Sequence, residues 1–191
     1  GKSVLLIDAD LRKPSVAKAL GFSATDDEGI CGIISGNKTL KESIKYSEKY
    51  QLFVLVSGKA VDNSSEILSS PKMEEIIETA KKEFDFVIVD TAPCGILADA
   101  SILAGYADTS VLVIKQDYAP ARKIRRAMDN IENSGIEILG CIYNNAEVGF
   151  GKPAFYGKKN GYGYGYGYGY GYGSKYGYGG KYGYGYGYGY G

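Results

Sequence analysis

Two acids stand two positions apart at the end of an apolar run, Val4-Leu5-Leu6-Ile7-Asp8-Ala9-Asp10, and Leu11-Arg12-Lys13-Pro14 follow at once. Mg²⁺ prefers oxygen ligands and gives up its waters reluctantly. A carboxylate leaving a buried strand can therefore hold it through water while phosphates supply the remaining ligands. A second carboxylate close by can orient or deprotonate an attacking hydroxyl. Another apolar run, Phe86-Val87-Ile88-Val89, ends in Asp90 and turns at Thr91-Ala92-Pro93. An acid so placed suits bonding to metal-bound water. Acids also end strands simply because the chain is leaving the core, and either run alone carries no more than that. Asn144 follows a later apolar run, where it either stops a strand or reads a ligand. Arg122, Lys123, Arg125 and Arg126 fit a solvated helix face better than a phosphate site. Asp99, nine positions after Asp90, either supports the acids from behind or, as local spacing favours, N-caps a helix over residues 100–104.

Composition narrows the chemistry. The sequence has no histidine, so a Ser-His-Asp triad, a His-ligated metal and a His general base are excluded. Three widely spaced cysteines with no CxxC pair argue against a disulfide framework and fit a reducing compartment. No apolar run approaches the roughly 20 residues that span a bilayer, and no signal peptide is visible. The formal net charge of zero hides an asymmetry: residues 1–150 carry −5 and residues 151–191 carry +5. That asymmetry favours salt-sensitive attraction between the basic end and the acidic body, within or between chains.

The elements that must position these acids alternate along the chain. Apolar runs at residues 3–8, 52–56, 86–90, 110–114 and 136–143 read as strands. Their continuous hydrophobicity implies helices on both faces of a parallel sheet. Ser70-Pro71 supplies an N-cap and N1 pair for a helix whose Met73, Ile76, Ile77 and Ala80 form one apolar stripe. Pro120 opens another, with Ile124, Met128 and Ile131 inward. Residues 30–34 form a short helix. The expected fold is an α/β, doubly wound, mainly parallel sheet over residues 1–150. Ligands of such sheets bind at the carboxyl ends of strands, where Asp8 and Asp90 fall. Residues 151–191 contain 17 Gly and 14 Tyr and no acid. Glycine at alternate positions makes ordering costly, so this segment reads as a disordered, accessible tail.

The run D-A-D-L-R-K-P at positions 8–14 resembles the Walker A′ motif of bacterial tyrosine kinases, the autokinases of the deviant-Walker P-loop NTPase class. Phe86–Asp90 with Thr-x-Pro resembles their Walker B motif, although the family usually has Pro where Ala92 stands. The stretch 58–73, G-K-A-V-D-N-S-S-E-I-L-S-S-P-K-M, resembles their loop-and-helix segment, so the likeness covers residues 1 to about 150. The tail resembles their C-terminal tyrosine cluster in kind only. The resemblance implies ATP and Mg²⁺ as cofactors, Asp8, Asp10 and Asp90 as catalytic residues, and Asp8 and Asp90 as the metal-holding pair. It implies Arg12 on phosphate and Asn144 on adenine. The phosphoacceptors would be Tyr162, Tyr164, Tyr166, Tyr168, Tyr170, Tyr172, Tyr176, Tyr178, Tyr182, Tyr184, Tyr186, Tyr188 and Tyr190. It further implies a role in capsular or exopolysaccharide production, a ring-shaped homo-oligomer, a cognate tyrosine phosphatase and no nucleic acid. A membrane adaptor would recruit this cytoplasmic enzyme to the inner face of the cell membrane.

The family's glycine-rich P-loop precedes the Walker A′ strand by a helix. Gly1-Lys2-Ser3 imitates its last three residues, but a true GK[ST] opens a helix and here a strand follows. The expectation is therefore a chain lacking the first strand, the P-loop and its helix, inactive by itself, with the missing part cut away or supplied by another polypeptide. Two other classes compete. A partition or septum-site ATPase shares the fold and both Asp motifs but not the tyrosine tail. A structural Gly-Tyr-repeat protein shares the tail but needs no Walker motifs.

Overall fold

Each of the five apolar runs forms a strand, and the helices fall between them. The computed structural model describes residues 1–94 and 98–146; the expected disordered tail, with its tyrosines, lies outside them. The order is β1 (Val4–Asp8), α1 (Val16–Leu20), α2 (Gly29–Ile34), α3 (Leu40–Ser43), β2 (Ile44–Ser47), β3 (Leu52–Leu55), α4 (Ser64–Leu68) and α5 (Pro71–Glu83). After it come β4 (Phe86–Asp90), α6 (Asp99–Ala104), β5 (Ser110–Lys115), α7 (Ala121–Glu132) and β6 (Ile138–Asn144). Four strands make one sheet in the order β2-β3-β1-β4, and β5 and β6 make a separate pair. All neighbours run parallel except β2, which pairs antiparallel with β3 as a hairpin not anticipated from the sequence.

The core lies around β1. Leu5, Ile7, Leu55, Leu68, Met73, Ile76 and Ile77 form one buried cluster, and each such side chain contributes roughly 1.5–3 kcal/mol relative to exposure. Helix α5 begins as the sequence predicts. The Ser70 hydroxyl accepts the Met73 N–H at 3.2 Å, Pro71 occupies the first turn, and the Met73-Ile76-Ile77-Ala80 stripe is buried. Helix α2 abuts the end of β3, with the Ile30 N–H donating to the Val56 carbonyl at 2.9 Å. The approach is so close that a Cβ on Gly29, at φ 62°, would meet that carbonyl oxygen at 1.8 Å. Helix α7 turns Arg122, Lys123, Arg125 and Arg126 to solvent, buries Ala127 and Ile131, and half-buries Ile124 and Met128.

The strands depart from expectation in one respect. Continuous apolar runs imply cover on both faces; β4 and β5 have it on one face only, and the end of β6 is open on both. Phe86 and Ile88 of β4, Val111 and Val113 of β5, and Leu139, Ile142 and Tyr143 of β6 are exposed. Among the described residues β4 pairs only with β1, and β5 only with β6, so each also has an unpaired edge. No helix among the described residues is long and apolar enough to cross a membrane.

Candidate active site

The paired acids are brought together by strand register. β1 and β4 are each five residues long and pair in step, so that Asp8 and Asp90 are Cα partners at the carboxyl end of the sheet. The Ala9 N–H donates to the Asp90 carbonyl at 2.9 Å and extends the ladder past them.

Asp8 is fully buried. Its Oδ2 accepts the backbone N–H groups of Ser15 at 3.2 Å and Val16 at 3.1 Å, where α1 begins. Its Oδ1 is the one buried side-chain oxygen without a hydrogen-bond partner among the described residues. Burial pushes the Asp8 pKa up to about 6. The Val16 and Ser15 amides oppose that rise, and the charges of Asp90 and Asp10 add to it. Asp90 is open to solvent on one side and crowded by protein on the other; the crowding and the Asp10 charge raise its pKa as well. Asp10 is almost fully buried, and its Oδ1 accepts the Lys13 N–H at 3.0 Å.

Burial and neighbouring carboxylates disfavour the charges of Asp8 and Asp90, and with Asp8 Oδ1 orphaned, a divalent cation here would relieve both the repulsion and the unmet hydrogen bond. Among the described residues, no group of three or more acid, His or Cys side chains is arranged to hold a metal by itself. The donor set therefore fits Mg²⁺ that keeps waters and takes phosphate oxygens, not an all-protein cage.

The other two site residues expected from the sequence are engaged by partners other than the three acids. Asn144 closes β6 and is exposed, and its Oδ1 accepts the Asn145 N–H at 2.8 Å. Arg12 directs Nε to Asp99 Oδ2 at 3.0 Å, one terminal nitrogen to the Asp62 carbonyl at 3.3 Å and the other to Ser65 Oγ at 3.5 Å. Local spacing predicts Asp99 as an N-cap. It stands instead as the first residue of α6, after Ala98, and accepts Ser64 Oγ at 2.8 Å and Ser65 Oγ at 2.6 Å besides Arg12. The partners that claim it lie 34 to 87 positions away, beyond the reach of local spacing.

Gly1-Lys2-Ser3 sits at the opposite end of β1 from Asp8. Lys2 Nζ pairs with Asp85 Oδ1 at 2.8 Å, and the Ser3 N–H and hydroxyl donate to Asp85 Oδ2 at 2.8 and 2.9 Å. The tripeptide runs into a strand, as its sequence context indicates, and its lysine faces away from the acid pair.

Residues 1–135 match the protein family described as AAA domain. The chain is 34% identical over 157 residues to the tyrosine-protein kinase CpsD of Streptococcus pneumoniae, covering 82% of this chain and 69% of that protein. Among solved structures, the kinase domain of the Escherichia coli tyrosine kinase ETK superposes with a TM-score of 0.74 at 29% identity, over 83% of this chain and 62% of that one. The septum site-determining protein MinD of Pyrococcus horikoshii, solved with Mg-ADP, matches at TM-score 0.59 and 21% identity, over 75% of this chain and 58% of that one; this likeness concerns the fold alone.

Proposed function

Because this chain belongs to the bacterial tyrosine-kinase family, we propose that it transfers the γ-phosphoryl group of ATP to tyrosine hydroxyls, chiefly Tyr162 to Tyr190 of a neighbouring copy. The observation that carries this reading is the in-step pairing of Asp8 with Asp90, with Asp8 Oδ1 left unpartnered, in a chain that also bears 13 tyrosines between residues 162 and 190. Asp8 and Asp90 would hold Mg²⁺ and its waters. When bound, the ion offsets charge on the β- and γ-phosphates during transfer. Asp10 would orient the phenol and accept its proton, a step the free phenol needs because its pKa is about 10. The bond from the γ-phosphorus to ADP breaks as the bond to the phenolic oxygen forms. Asn144 would contact the adenine. We place the activity in capsular or exopolysaccharide production, in a ring-shaped oligomer at the inner membrane face, recruited by a membrane adaptor and reversed by a phosphatase. Mass spectrometry of the native protein after incubation with Mg-ATP should find phosphate on residues 162–190. Phosphate on Tyr46, Tyr50 or Tyr106 with that cluster unmodified would refute the acceptor assignment.

The β- and γ-phosphate cradle is not supplied by Gly1-Lys2-Ser3, whose lysine is held by Asp85. We assign the cradle to a strand, P-loop and helix outside these 191 residues, and we place that strand between β4 and β5. The unpaired edges of both strands and the bare Phe86, Ile88, Val111 and Val113 support this reading, since a strand and a helix together would cover them. The 191-residue chain should accordingly show no saturable Mg-ATP binding by calorimetry at micromolar nucleotide. Tight binding would remove the need for an external cradle.

A further inference from the structure

Among the described residues Asp99 is the other fully buried carboxylate besides Asp8, and it is engaged in a different way. It receives three hydrogen bonds, from Arg12, Ser64 and Ser65, and no oxygen is left over. Burial alone would raise its pKa; the bonds from Ser65, Arg12 and Ser64 and the guanidinium charge outweigh burial and hold it below the usual carboxylate value. A buried charge is costly unless it is paired and fully bonded, and a well-packed apolar group can often replace such a pair without loss of stability. What distinguishes this arrangement is where its members come from. Arg12 lies in the loop after β1, two residues beyond Asp10. Ser64 and Ser65 open α4 in the segment after β3. Asp99 opens α6 after β4. Three loops at the carboxyl end of the sheet meet on one carboxylate.

The loop after β1 is anchored at neighbouring points too. Leu11 is fully buried, and its carbonyl accepts the Val61 N–H at 2.9 Å. Downstream of Arg12, the Lys13 N–H holds Asp10, and the Ser15 and Val16 N–H groups hold Asp8. The backbone that orients both acids is thus tied to the rest of the fold both at Leu11 and through the Arg12 side chain. A displacement of about 1 Å in such positioning costs about 100-fold in rate.

We propose that Asp99, acting through Arg12 and steadied by Ser64 and Ser65, is a positioning residue that sets the direction of Asp8 and Asp10, and that Arg12 serves this lock and not the phosphates. The proposal rests on the kinase reading for its consequence in rate, but not for the lock itself. The test compares Asp99→Asn, Arg12→Lys and the milder Ser65→Ala. In the native protein, Asp99→Asn should lower kcat for tail phosphorylation about 10- to 100-fold and leave KM for ATP nearly unchanged. Adding Arg12→Lys should cost little more, because both changes break one lock. In the 191-residue chain, hydrogen exchange at Lys13, Ser15, Val16 and Val61 should quicken while Ile76, Ile77 and Ala80 of α5 keep their protection. Ser65→Ala should do the same to a smaller degree. Wild-type kcat with unchanged exchange at those four amides would overturn the proposal. So would a loss of protection that extends to α5 in both Asp99→Asn and Ser65→Ala, which would mark a merely structural tie. A raised KM for ATP in Arg12→Lys with normal exchange would return Arg12 to the phosphates. If the unsubstituted protein transferred no phosphate, the kinase reading would fail and the exchange comparison would still decide the lock.

Discussion

Asp8→Asn should remove most phosphoryl transfer and make the isolated chain more stable at pH 7. Both effects follow from one buried carboxyl whose pKa is raised from its ordinary 3.8 to about 6, burial being the main cause. A carboxyl with a raised folded-state pKa binds its proton more tightly in the native state. Stability is then fullest below the unfolded value and falls as pH climbs from about 4 through about 6. The ionised Asp8 costs the metal-free fold on the order of 3 kcal/mol at neutral pH, from that difference. Asparagine can accept the same Ser15 and Val16 N–H groups without ionising. Urea titrations in metal-free buffer should show the wild-type midpoint declining between pH 4 and 6, with the Asp8→Asn variant flatter and higher at pH 7. Phosphotyrosine made by the native protein should drop by about 10²- to 10³-fold, the scale expected when one fixed electrostatic group is lost. Asp90→Asn should share the loss of activity. An Asp8→Asn variant less stable than wild type at pH 7 would mean that the carboxylate is there to hold α1, not to await a cation.

Ile88→Asp should be tolerated by the isolated chain and ruinous once the proposed P-loop segment is joined to it. Ile88 is 54% exposed on β4, and changes on an open strand face cost about 1 kcal/mol or less. If a strand and helix close over that face, the same aspartate becomes a buried, unpaired charge at a cost of about 3–5 kcal/mol. Urea midpoints should therefore match those of the parent in the 191-residue chain. In a fusion carrying a relative's P-loop segment ahead of Gly1, they should collapse together with phosphotransfer. Unfolding of the 191-residue chain itself by Ile88→Asp would mean that the face is already covered, for instance by a second copy.

The strands are legible in the sequence because they are aliphatic runs long enough to be unambiguous, and α5 because Ser70-Pro71 announces it. The β2–β3 hairpin is not. Ile44-Lys45-Tyr46-Ser47 alternates but is only four residues, too short for the pattern to stand out, and its turn places Gln51 at φ 51° with no Gly or Asn to mark it. The acids are visible as strand ends, but their juxtaposition depends on register, which no single strand encodes. Asp99 looks like a cap because local spacing favours that use; its partners arrive through tertiary structure from the first and third loops. The bare faces of β4, β5 and β6 leave no mark in the sequence, because hydrophobicity shows what a strand is suited to bury, not what covers it.

The knot of Lys2, Ser3 and Asp85 has a geometric consequence at the far end of the sheet. Side chains along a strand alternate between faces, so a carboxylate at a strand's end depends on the count of residues behind it. Asp85 is clasped by Ser3, and from that shared origin five residues lead to Asp8 on one strand and five to Asp90 on the other. The clasp acts as the zero mark of two rulers of equal length. A single residue inserted between Asp85 and Asp90 would leave hydrophobicity, helix pattern and both acids in place. It would also reverse the parity of one ruler and turn Asp90 to the opposite face from the one it now shares with its partner.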